Sequence, residues 1–203
     1  MNNQQLPFDF AALAARAKLI LTAPAECWDT ISIELPNFKQ LLLTYALPFI
    51  VAGALCSFVS SAFIGVATPL GTFTTPFFQS LVFLLVQCIF SPLAIMASTW
   101  VTTLVSPKFG GSADFNKAGA LMIYSMTPGF VGGLLAILPI VGTLAALLGF
   151  YGLFIFYKGT SKMLSIPVEK QLVFTVVNFI AIAITMIVLS MALVLFRPLP
   201  SFS

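Results

Sequence analysis

The sequence has no histidine, and only 7% of its residues are charged. Its six carboxylates, Asp9, Glu26, Asp29, Glu34, Asp114 and Glu169, all lie outside the long apolar runs. So do all the lysines and arginines. A soluble domain carries about 25% charged residues, so this chain cannot build a water-facing surface. Proton-driven pumps and voltage sensors need an ionisable group at membrane depth, and none is available here. Sodium sites made of backbone carbonyls stay open. Buried aspartate pairs, serine–histidine pairs and HExxH are missing, which leaves intramembrane proteolysis without its groups. The three cysteines, Cys27, Cys56 and Cys88, form no CxxC pair. Their odd number argues against a disulfide framework. Glu26 and Asp29 stand one helical turn apart and could share a cation. Favourable placement at a helix N-terminus explains them more simply. No run of basic residues points to nucleic acid, no glycine-rich loop follows a strand, and Gly110-Gly111 reads as a flexible turn. The expectation is a non-enzymatic chain with no cofactor and no metal.

What the chain has in quantity is apolar residues, 60% of 203, with mean hydropathy +1.08. They come in unbroken runs rather than in alternation, which excludes a β-barrel. The fold class is all-α, a polytopic integral membrane helical bundle whose partner is the lipid bilayer. Five spans are predicted, at about 41–67, 77–105, 118–138, 140–157 and 172–196, together forming a membrane domain over 39–198. Pro48 should kink the first, and Pro92 sits inside the second. Residues 1–38 precede them. Within these, 8–35 reads as one or two short amphipathic helices. They would either lie in the headgroup layer with Trp28 as interfacial anchor or pack on the protein's own cytoplasmic end. Ala23-Pro24-Ala25 resembles a cleavage site, but the stretch before it lacks an apolar core of the usual length.

The segment Tyr124 to Lys158 organises the rest. It is uncharged until its last residue, and Pro128-Gly129 and Pro139 interrupt it. It crosses a bilayer twice only by folding back near Pro139 as a helical hairpin. Gly129, Gly133, Pro139, Gly142 and Gly149 are the expected close-packing positions. Gly129-Phe-Val-Gly-Gly133 matches GxxxG, through packing within the hairpin or through self-association into a homo-oligomer. The candidate functional kink is Tyr124, Ser125, Thr127, Pro128 and Gly129, because broken helices in transporters expose backbone groups to substrate. The competing reading is a static kink whose freed backbone groups those hydroxyls satisfy. Gln87 and Asn178 either line a pore or bond across helices.

Positive charge sets the orientation. Five spans put Arg16, Lys18, Lys39, Lys108, Lys117, Lys158, Lys162 and Lys170 on one side, eight of the nine basic residues, and leave Arg197 on the other. The positive-inside rule then predicts a cytoplasmic N-terminus and an external C-terminus.

Several ordered landmarks complete the reading: Pro24-x-x-x-Trp28, Tyr124-Ser-Met-Thr-Pro128, Ile137-Leu-Pro139-Ile-Val-Gly142, then Tyr151 and Tyr157-Lys-Gly159. In this order, from about Arg16 to Leu195, the chain resembles the Yip1 domain family in its compact prokaryotic form. The resemblance implies a five-span domain with a cytoplasmic N-terminus, in a bacterial inner membrane. Eukaryotic members are linked to Rab GTPases and vesicle formation. They have a longer cytosolic N-terminal region and an Asp-Leu-Tyr-Gly-Pro motif, both missing here, so that role is not carried over. Two functions are expected. One is a membrane-organising component that binds protein partners at the cytoplasmic face. The other is a small transporter or channel for a neutral or lipid-like solute, using the Pro128-broken third span.

Overall fold

The structure is a computed structural model that describes residues 10–68, 71–135, 137–138 and 147–195. Two short helices, α1 (Phe10–Thr22) and α2 (Pro24–Glu34), precede the first long one. Pro24 opens α2, where its missing N–H costs nothing. Helix α3 (Phe38–Ile64) follows, then α4 (Phe77–Val105), which continues as one tight turn to Phe109. The third long segment is broken into α5 (Phe115–Ser125) and α6 (Thr127–Leu135). Helices α7 (Leu148–Leu164) and α8 (Gln171–Leu195) complete the described chain. Four segments are long and apolar enough to cross a bilayer: Phe38–Ile64, Phe77–Phe109, Phe115–Leu135 and Val168–Val188. The molecule is thus an integral membrane protein. Large apolar side chains such as Phe78, Val82, Phe83 and Ile89 face outward along α4, a surface stable only against lipid.

The helix ends follow their sequences. Asn37 caps α3 by accepting from the amides of Lys39 and Gln40, and Asp114 caps α5 by accepting from Asn116 and Lys117. Pro48 has no amide hydrogen for the preceding turn. The helix widens to a π turn at Leu42–Ala46 just before it, and again at Ser60–Ile64. The uncharged link after α3 holds the one departure from an all-helical fold among the described residues. Strand β1 (Val66–Thr68) pairs antiparallel with β2 (Gly71–Phe73), Val66 opposite Phe73.

Both charged loops lie at one end of the bundle. The Ser112 amide donates to the Leu164 carbonyl at 2.7 Å, and the Phe38 amide donates to Asn116 Oδ1 at 2.9 Å. The start of α3, the start of α5 and the end of α7 therefore meet there. Gly111 is not the flexible turn expected from its sequence. A side chain on it would strike Ile166, Ser106 Oγ and, at 2.9 Å, the Leu164 carbonyl.

Helix α7 runs antiparallel to α5. Gly152 lies against the Ser125 carbonyl, and seven residues later Gly159 lies against Leu121. This helix departs from the predicted fourth span. It begins at Leu148 and carries Lys158 and Lys162 in its last turns, which the sequence reading had put in a loop. Pro139 and Gly142, and with them the expected turn of the hairpin, lie outside the described residues.

The N-terminal helices also differ from the in-plane expectation. The Tyr151 hydroxyl donates to the Leu21 carbonyl, and the Trp28 indole N–H donates to the Ile155 carbonyl. Asp29 pairs with Lys162. Contacts advance along α2 and α7 together, so α2 runs parallel to α7 rather than across the end of the bundle. Its start reaches Tyr151, level with the break in the third long segment. Trp28 is 0% exposed and belongs to the protein's core instead of a lipid interface.

Candidate functional site

The break between α5 and α6 falls at Met126. Pro128 offers no hydrogen to the Tyr124 carbonyl, and the helix reopens by a tightened turn. The Met126 amide is shared between the Met122 and Ile123 carbonyls at 3.1 and 3.2 Å. The Thr127 hydroxyl does not turn back to the freed backbone. It bonds the Tyr45 hydroxyl of α3 at 2.8 Å, fully buried. Tyr124 packs its ring against Tyr45, with centroids 4.9 Å apart, and edge-on to Trp28 at 6.2 Å. One side of the break is thus a packed aromatic block of Trp28, Tyr45 and Tyr124.

The other side is open. A cavity of about 370 Å³ lies between the helices, bounded by Ser125, Gly129, Gly53, Gln87, Ser91 and Phe179 among others. Its size is within the range of small-molecule sites. Its walls are mainly apolar, with Gln87, Ser91 and Ser125 as the polar side chains. Ser125 Oγ is buried and has no hydrogen-bond partner among the described residues. A buried unpaired hydroxyl costs about 1–3 kcal/mol, so it marks a position where another polar atom would be held. The cavity residues straddle the middles of three of the segments that line it, Val51 of Phe38–Ile64, Leu93 of Phe77–Phe109 and Ser125 of Phe115–Leu135. The space is at mid-bilayer depth.

Small residues shape it. Gly129 and Gly149 have nothing within 4 Å of where a side chain would begin. They serve as floor of the cavity rather than as helix-contact points. Gly133 does face another helix, but it is α3: a Cβ on Gly133 would lie 3.7 Å from Cα of Gly53. The GxxxG pair is therefore split between two jobs, and the contact of Gly133 is not with the fourth segment. Gly152, one of the glycines of the Tyr124–Lys158 segment, is the close approach between the third and fourth segments, whereas Gly53 and Gly159 have partners that no local pattern points to. Asn178 takes the cross-helix role, donating from Nδ2 to Thr102 Oγ1 at 3.1 Å. Gln87 lines the cavity.

Charge stays near the bundle end. Arg16 forks onto both oxygens of Glu34 at 2.6 and 2.8 Å. Burial, the largest single influence, opposes the guanidinium charge, but the bond to Glu34 together with the charge of Glu34 and the neighbouring Tyr124 and Cys27 holds Arg16 above its ordinary range. Burial pushes the neighbouring Cys27 thiol up, against the pull of Arg16. Among the described residues no three His, Cys, Asp or Glu side chains cluster as metal ligands. Asp29 is engaged by Lys162.

No curated protein and no solved structure matches the chain. The Yip1 domain matches it over residues 18–191, from α1 into α8. That stretch takes in Trp28 on α2, the Tyr124–Pro128 break, the mid-bilayer cavity and the antiparallel α5–α7 pair, and the chain belongs to the Yip1 domain family.

Proposed function

We propose that this chain is a non-enzymatic, five-pass membrane protein that holds or passes a neutral or lipid-like solute in the cavity beside the Pro128 break. The observation that carries the reading is Ser125 Oγ, buried and unpaired on the wall of an apolar cavity at mid-bilayer depth. A packed bundle would have closed over this point with a side chain. Instead Gly129 and Gly149 leave it open. An apolar solute with one polar group fits, because its body meets Phe49, Ile95 and Phe179 while its polar atom meets Ser125.

Five passes are supported by the antiparallel run of α5 and α7 and by the bond joining the two charged loops. The described part of α7, 17 residues or about 25 Å, runs from just past the level of the break to the charged end, and it would be the cytoplasmic part of the fourth pass. The concentration of lysine and arginine at that end supports a cytoplasmic N-terminus.

The test is reconstitution into vesicles, with release of an entrapped neutral amphiphile as readout. Flux or binding should fall sharply in Gly129→Leu, which fills the cavity, and in Pro128→Ala. Ser125→Ala should shift selectivity away from solutes with a polar group. A folded Gly129→Leu variant with undiminished solute uptake would sink the reading.

A membrane-organising or partner-binding role is the second reading. It is favoured by Ile33, 83% exposed, and Leu35, 53% exposed, two residues apart near the charged end. Deleting residues 1–35 would remove Trp28 from the core, so Ile33→Glu is the cleaner probe. Loss of a co-purifying partner in that variant, with the fold intact, supports this role.

A further inference from the structure

The central cavity carries polar groups on two helices. Gln87 and Ser91 line it from α4, and Ser125 lines it from α5. Gln87 and Ser91 are four residues apart, so they share one face of α4, a single turn from each other. Among the described residues, none of the three side chains makes a hydrogen bond. Each can donate one, from a hydroxyl or from the carboxamide nitrogen. No lining residue ionises. A phosphate, carboxylate or ammonium held there would be a buried charge without a partner. The occupant's polar atoms are therefore neutral, and acceptors suit the α4 and α5 walls together. A simple alcohol has one oxygen and leaves one wall unmet.

Shape and size narrow the class further. Phe49 and Phe130 both line the cavity, with ring planes 9° from parallel and centroids 5.8 Å apart. With Phe179 they offer flat faces to a ring. At a water's share of about 30 Å³ per non-hydrogen atom, 370 Å³ holds about a dozen such atoms. A diacyl lipid is several times larger. A substituted ring bearing two carbonyls is of this size.

We propose that the cavity binds the head ring of a prenylated quinone. One carbonyl oxygen accepts from Ser125, and the carbonyl at the other end of the ring accepts from Gln87 or Ser91. This rests on the cavity reading above and names its solute. The cavity is not enclosed, so the apolar tail runs out between the helices into lipid.

The experiment uses the full chain in nanodiscs and a decyl benzoquinone with an azide on its ring. Light fixes the bound probe, and labelled peptides are mapped by mass spectrometry. Labelling should fall on peptides containing Ser125–Gly129 and Gln87–Ser91. Azide-free decyl benzoquinone should compete. Decylbenzene, which keeps ring and tail but lacks the carbonyls, and decanol should not compete at the same concentration. Ser125→Ala and Gln87→Leu should each weaken the quinone's competition about three- to tenfold, the worth of one neutral hydrogen bond. Ser125→Ala should do so without lowering the melting temperature of the ligand-free protein, because the hydroxyl it removes has no partner to lose. Equal competition by decylbenzene or decanol overturns the quinone and leaves the cavity reading standing. So does competition that neither substitution weakens. A Ser125→Ala protein that loses stability and binding together overturns the assignment of Ser125 as donor. Labelling only outside the cavity, while a neutral alkyl diazirine labels Met126 and Gly129, overturns the quinone alone. If neither probe labels that stretch, the quinone and the cavity reading fall together.

Discussion

The indole N–H of Trp28 donates to the carbonyl of Ile155 at 3.0 Å, joining residues 127 positions apart in the chain. The ring fits because residue 159 is glycine. A Cβ there would lie 2.5 Å from Trp28 Cε2 and 2.5 Å from a methyl of Leu121. Trp28→Ala should cost about 3–5 kcal/mol, a large aromatic lost from a packed core. Gly159→Ala should cost about 1–3 kcal/mol by overpacking. The two sites touch, so they should not add. Gly159→Ala should cost measurably less in a Trp28→Phe background. Unfolding in mixed micelles gives all four values, and strict additivity would remove the proposed contact.

The pair Tyr45 and Thr127 makes a second prediction. Their hydroxyl bond ties α3 to the first turn after the break. Tyr45→Phe should cost about 0.5–1.5 kcal/mol, as should Thr127→Val. A double-mutant cycle should recover most of that as coupling. A coupling near zero would mean that Pro128 alone, and not this bond, sets the geometry of the break.

Cys27 gives a pH dependence. Burial raises its thiol above the ordinary 9.0, partly offset by Arg16. The unfolded chain ionises this thiol near pH 9 while the folded chain keeps the proton. Its contribution to stability is therefore complete below about pH 9 and is lost as pH rises toward the folded value. Above about pH 9 the melting temperature should fall more steeply for the native protein than for Cys27→Ala. Parallel curves would contradict the assignment.

The two charged loops should report to one compartment. Single cysteines at Lys108 and Lys162, with the native cysteines replaced, should be modified by an impermeant maleimide from the same side of inverted vesicles. Modification from opposite sides would break the five-pass reading and the orientation derived from it.

The long helices were legible because composition alone dictates them. Helix α4 starts at Phe77, directly after the proline-rich link, as predicted, and ends at Val105. Helix α8 begins at Gln171, within one residue of the expected start. Pro128 does interrupt the third segment. What escaped was everything that depends on a distant partner. The amphipathic face of α2 was visible, but not whether lipid or α7 covers it, because Trp28 suits either surface. Gly133 stood out through its spacing from Gly129, whereas its true neighbour Gly53 belongs to no local pattern. The ribbon at Val66–Phe73 is too short for an alternation signal. The cavity was foreseen as a possibility at the break, but its walls come from helices far apart in sequence, so its extent could not be read.

The docking of α2 on α7 also sets an order of assembly. The first helices leave the ribosome long before Ile155 and Gly159 are made. Until then the Trp28 ring has no groove to enter, and the N-terminal arm must wait beside the membrane or be shielded by a chaperone. Long-range closures of this kind are slow steps. Assembly of this bundle therefore closes late, when helices made early lock against one made more than a hundred residues later.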